Sequence, residues 1–116
     1  MYKRQVGPSG IRQLPPGGAL PLGLGELTAG SGPPVVLRSR LGPDETVLLT
    51  TDGVTEARDG IGAFYPLADE VARGVAADPR LTDPQRLVAY VRDGTLRHSG
   101  GRLADDTTVF AVRRAG

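Results

Sequence analysis

Glycine and proline fill 14 of the 28 positions from residue 7 to residue 34, eight and six of them respectively, while residues 35–116 hold nine and four in 82 positions. So dense a run of breakers admits neither a long helix nor a central strand. Proline lacks the amide donor, and glycine loses the most backbone entropy on ordering. Any regular core must therefore come mainly from the remainder of the chain. The front reads either as a flexible linker or as a loop crossing a domain surface, with Ile11 to Leu14 as one short strand. A length of 116 residues allows at most one small domain, and 29 Leu, Ile, Val and Phe residues lie above the disordered range but are lean for a self-sufficient core. There is no internal repeat.

Fourteen Lys and Arg against thirteen Asp and Glu leave a formal charge of +1, which removes the clustered basic excess that nucleic acid or an anionic membrane surface requires. No apolar run approaches the roughly 18 residues of a spanning helix, and the N-terminus has no apolar signal core. The expectation is a cytoplasmic protein with neither membrane insertion nor a nucleic-acid partner. The absence of cysteine excludes disulfides and thiolate metal sites, and a single histidine makes a zinc site or a Ser-His-Asp triad hard to assemble.

Behind the breaker-rich front the pattern sharpens. Val35 to Leu41 reads as a strand, Gly42-Pro43-Asp44-Glu45 as a turn and Thr46 to Thr51 as a second strand, together a hairpin. Consecutive Val47, Leu48 and Leu49 predict burial on both faces of the second strand. After a short Val54 to Arg58 segment and a bend at Asp59 to Gly62, Leu67, Val71 and Val75 recur at helical spacing, and Asp78-Pro79 closes that helix. Thr82-Asp83-Pro84-Gln85 then combines an N-cap, an early proline and a glutamine set for a capping box, which predicts a second helix over about 83–97. Ser99-Gly100-Gly101 ends it, and Thr107 to Val112 reads as a final strand.

Two acidic positions stand out: Asp52 directly after an apolar strand, and Asp105-Asp106 directly before another. If those strands are neighbours, the carboxylates meet at one sheet edge, as hard oxygen ligands suited to Mg or Mn. Asp-Gly is equally an ordinary turn pair, and Asp before a strand an ordinary loop terminator, so spacing alone leaves both readings open.

The segments Thr51-Asp52-Gly53-Val54-Thr55-Glu56-Ala57 and Leu103-Ala104-Asp105-Asp106-Thr107-Thr108-Val109 resemble the SpoIIE-type branch of the metal-dependent type 2C (PPM) protein phosphatases. There a turn-led strand ends in T-D-G-hydrophobic-x-E-A, two helices follow, and a D-D-x-T strand closes the domain. Gly18-Ala19-Leu20-Pro21-Leu22-Gly23 also resembles the family's G-x-P-L-G segment, with one extra residue, and the likeness runs in order from about Gly7 to Arg114. It implies an α+β fold: a partial PPM-type phosphatase, with antiparallel β-sheet layers and two flanking helices, about half of the β-sandwich. It further implies that Asp52 and Asp105 are metal ligands acting through an activated water, with Gly53 shaping the strand end so that the Asp52 carboxylate can face the ion. Asp106 then stands behind the ligands, and Glu56 is a motif member without a derived role.

The resemblance implies two Mn2+ or Mg2+ ions that activate a water and neutralise phosphate oxygens, acting on phosphoserine or phosphothreonine of a regulatory protein such as an anti-sigma-factor antagonist. The family's N-terminal half, with its further Asp-Gly metal motif, has no counterpart here. The expectation is a truncated fragment with little activity of its own, whose parent protein supplies that half and possible sensor domains. Met1 to Val6 are expected to be a non-native start, since Tyr2-Lys3-Arg4-Gln5 matches a translated sequencing adaptor and Lys3 is the sole lysine, leaving 7–116 as the C-terminal portion of the phosphatase domain. The alternative function is a degenerate, non-catalytic phosphatase-like module that grips a phosphoprotein in a sigma-factor pathway.

Other candidates read as structural. His98 suits a helix C-terminus as a cation, Arg38 and Arg40 a solvated strand face, and Phe64-Tyr65 packing under the helices. Gly17-Gly18 and Gly23-x-Gly25 lack the strand, helix and Lys-Ser/Thr context of a phosphate loop.

Overall fold

Alternation at every second residue builds one face of an antiparallel sheet. In the computed structural model, which describes residues 2–14, 41–103 and 107–113, four strands lie in the order β2-β1-β3-β4: β1 Tyr2–Gly7, β2 Gly10–Gln13, β3 Thr46–Thr50 and β4 Val109–Arg113. Between β3 and β4 come α1 Asp52–Thr55, α2 Leu67–Ala77, a 3-10 turn at Pro79–Thr82 and α3 Pro84–His98. The architecture is α+β.

The sheet closes around β3, with Leu48 opposite Arg4 on one side and Ala111 on the other. Both edges of β3 are thus taken by β1 and β4; the expected strand Val35 to Leu41 lies, except for Leu41, outside the described residues. So do Arg38, Arg40, the glycines at 17, 18, 23 and 25, and the Gly18 to Gly23 segment. The turn itself is present: the Glu45 amide donates to the Gly42 carbonyl, and the Glu45 carboxylate accepts from the Gly42 amide and the Gln5 side chain. The residues read as an adaptor-like start form β1, inside the sheet between β2 and β3, and Val6 is fully buried.

The helices cover one sheet face. Leu67, Val71 and Val75 of α2 and Leu87 and Val91 of α3 are buried with Val6, Leu48 and Val54 in a single core, each such aliphatic side chain stabilising the fold by roughly 1.5–3 kcal/mol. The last helix starts one residue later than a Thr82 cap implies. Asp83 is the N-cap, accepting from the Arg86 amide at 3.2 Å, with Pro84 in the first turn. Thr82 instead donates to the Pro79 carbonyl, accepts from Arg113 and takes the Thr46 hydroxyl on its own carbonyl, joining the 3-10 turn to β3 and β4. Because Asp83 and not Thr82 is the N-cap, and the Thr82 hydroxyl is spent on the Pro79 carbonyl, the expected capping box with Gln85 does not form.

Burial of β3 on both faces is not observed. Thr46, Leu48 and Thr50 are fully buried, whereas Val47 and Leu49 on the opposite face are half-buried beside Phe110 and Val112, which are 58% and 53% exposed. Among the described residues no second layer lies on that face. Among those residues, too, no helix is long and apolar enough to cross a membrane.

Candidate functional site

Strand β3 ends at Thr50, and Thr51 stays extended (φ −83°, ψ 167°) before the single turn of α1 begins at Asp52. Two hydrogen bonds fasten this junction to the approach to β4. The Thr51 amide donates to the Thr108 carbonyl at 3.1 Å, and the Thr108 amide donates to Thr51 Oγ1 at 3.0 Å. The T-D-G segment and the start of the last strand therefore lie side by side at one end of the sheet.

Asp52 is exposed at the start of α1, and its carbonyl accepts from the Glu56 amide at 2.8 Å. Gly53 and Val54 behind it are buried and anchor the turn in the core. Gly53 lies within the turn of α1 with a negative φ. Asp105 and Asp106 lie outside the described residues. Among the described residues no three His, Asp or Glu side chains gather in a metal-binding group, and Asp52 is the one expected ligand that the structure describes. A solvent-facing carboxylate at a strand end fits an ion that retains most of its waters and takes few protein ligands.

Beyond α1 the chain folds back on itself. Ala57 accepts from the Tyr65 amide, Arg58 bridges to Phe64, and the Asp59 carboxylate accepts from the Ile61 and Ala63 amides at 3.0 and 2.9 Å. The Ala63 bond foremost holds the Asp59 carboxyl below the usual carboxylate range. His98 fastens this loop to α3: its Nε2 lies 2.8 Å from the Ala63 carbonyl, which can only accept, so that nitrogen carries the proton. Burial foremost pushes the neighbouring Tyr65 phenol up to about 12. Of the Phe64-Tyr65 pair only Tyr65 packs under the helices; Phe64 is half exposed, with the Arg58 guanidinium 5.1 Å from its ring centroid.

A cleft of about 680 Å3 opens between α1, this loop and the segment after α3, lined by Gly53, Glu56, Arg58, Phe64, Arg102 and Leu103 among others. Gly100 and Gly101 (φ +64° and +83°) make the reversal that brings Arg102 there, with the Gly101 amide donating to the Leu96 carbonyl at 2.8 Å. Sequence reasoning passed over Arg58 and Arg102. The available signal was that each lies within a few residues of an acidic motif, Arg58 after Glu56 and Arg102 before Asp105.

Family and structural likeness bear on this site. The Stage II sporulation protein E (SpoIIE) family model matches residues 4–115. The chain belongs to the SpoIIE family. Two solved structures of the phosphatase domain of the cell fate determinant SpoIIE from Bacillus subtilis share its fold. The Mn-presoaked form aligns with a TM-score of 0.62 at 17% identity, over 97% of this chain and 46% of that one. The other gives 0.60 at 15% identity, over 97% and 47%. This SpoIIE-family chain thus spans just under half of the solved phosphatase domain and has the fold of part of a PPM phosphatase. No curated protein matches it.

Proposed function

We propose that the chain is the C-terminal portion of a metal-dependent protein serine/threonine phosphatase domain, in which Asp52 and Asp105 each lend a carboxylate to Mn2+ or Mg2+. The observation that carries the reading is the pair of hydrogen bonds between Thr51 and Thr108, which sets Asp52 next to a residue that Asp105 precedes by three positions. When bound, such ions supply positive charge for phosphate oxygens and lower the pKa of a water. This chain's own contribution is to hold the exposed Asp52 carboxylate just beyond a hydrogen-bonded strand end. Gly53 and Val54 anchor it from behind, and Asp106 supports the ligands. The substrate class is a phosphoserine or phosphothreonine protein of the anti-sigma-factor antagonist kind.

A second reading applies to the isolated chain, which covers 46% of the solved domain: a module that holds a phosphoprotein without hydrolysing it. Titration of the 15N-labelled chain with Mn2+ tests the ligand assignment. Paramagnetic broadening of the amides at Gly53 to Thr55 and at Thr107 and Thr108, lost in Asp52→Asn, is expected; uniform or absent broadening refutes it. The isolated chain is expected to leave p-nitrophenyl phosphate intact with Mn2+. Turnover abolished by Asp52→Ala would show that the chain is a complete catalyst.

A further inference from the structure

We infer that the cleft beside Asp52 is a docking groove for an acidic segment, in which Arg58 and Arg102 grip carboxylates that flank the phosphoresidue of a protein substrate. This rests on the phosphatase reading and adds the side chains that select the substrate. The cleft adjoins both expected ligands in sequence: Gly53 follows Asp52 directly and Leu103 comes two residues before Asp105, and both line the cleft. A peptide seated there has its phosphoresidue within reach of the Asp52 end.

The charged side chains lining the cleft are two arginines, Arg58 and Arg102, and one glutamate, Glu56. Among the described residues no acidic side chain forms a salt bridge with Arg58 or Arg102, whereas Arg73, Arg80 and Arg92 lie 3.2, 3.0 and 3.2 Å from acidic neighbours. Arg58 is also steadied, because stacking on Phe64 restrains the guanidinium while leaving its N–H edge for a planar carboxylate. At 680 Å3 the cleft has room for a few residues of extended peptide rather than a lone ion.

The 116-residue chain, 15N-labelled, is titrated with two phosphoserine peptides identical except for Glu or Lys flanks. The Glu-flanked peptide is expected to shift the Gly53, Arg58, Gly101 and Arg102 amides and to bind about tenfold tighter than its Lys-flanked partner. Arg58→Gln with Arg102→Gln erases that preference, and because both side chains are exposed the remaining spectrum stays as in the parent. Should the double variant lose its fold, each single variant carries the same test at about threefold. Equal affinity for the two peptides, or shifts confined to another face, overturns the proposal. Mn2+ broadening near Asp52, measured without peptide, reports separately on the phosphatase reading. Peptide preference without broadening sustains the groove and sinks the metal assignment; broadening without preference does the reverse.

Discussion

The two faces of the sheet are built by alternate residues of the same strands, yet they live in different surroundings. On one, Leu48 and Val6 are fully buried under α2 and α3. On the other, Val47 and Leu49 stand half-buried next to Val112 and Phe110, which are mostly open. The residues are equally apolar, so the contrast arises from what covers them and not from their own chemistry. Adhesion of the sheet to the helices holds the fold, and the bare face contributes little to it. The candidate site lies at the sheet end between these two regimes. Its backbone is anchored through buried Gly53 and Val54, while Asp52 and the cleft arginines are exposed.

The sharpest way to break this comparison is to remove the same side chain from each face. Leu48→Ala leaves a hole in the core, with an expected cost of about 2–5 kcal/mol, a large share of the roughly 5–15 kcal/mol that holds a small domain together. Leu49→Ala, one residue on and facing the other way, is expected to cost about 1 kcal/mol or less. Urea denaturation followed by far-UV circular dichroism reads both. Equal losses would mean that the second face is as tightly packed as the first.

Much of this was legible in advance because helical spacing is a strong local signal. Leu67, Val71 and Val75 are the buried stripe of α2, and Asp83-Pro84 opens α3 one residue from its expected start. The burial of β3 was misread because three apolar residues in a row resemble a strand between two layers, and nothing in the run reveals that one layer is absent from the described residues. The partners of β3 were hidden for a similar reason. Turn chemistry at Gly42 to Glu45 is local, but the choice of β1 and β4 as partners for β3 depends on residues 40 or more positions away. Asp52 could be singled out by its motif. The cleft could not, since Arg58 and Arg102 stand 44 positions apart (102 − 58) and meet only through the reversal at Gly100 and Gly101.

A smaller effect probes the seam between the regimes. Thr51→Val keeps the shape of the side chain and removes the oxygen that accepts from the Thr108 amide. The expected loss is about 1–2 kcal/mol, the cost of leaving a partly buried amide without its partner. The structural consequence is more informative than the stability. Amide exchange at Thr108 should quicken while that of Val71, deep in α2, keeps pace only with the global change, and Mn2+ broadening at Thr107 and Thr108 should weaken relative to that at Gly53. Parallel changes at all of these positions would mean that the seam carries no local role in holding the site.

The least effect on stability, and the clearest on association, is expected from the bare face itself. Phe110 and Val112 lie on β4, an edge strand among the described residues, and pair across to Leu49 and Val47 to make a contiguous apolar surface. Surfaces of this kind favour contact with another protein, and an adjacent unpaired strand edge adds a backbone template for it. Phe110→Ser combined with Val112→Ser should therefore change the unfolding free energy by less than about 1 kcal/mol, because both side chains are already more than half in water. The same pair should shift the chain from concentration-dependent association to a single monomeric species in sedimentation velocity. A large loss of stability would show that these residues are packed, and the difference between the two faces would vanish. Unchanged association would place the sticky surface elsewhere and leave the bare face as an ordinary, scattered exposure of apolar atoms.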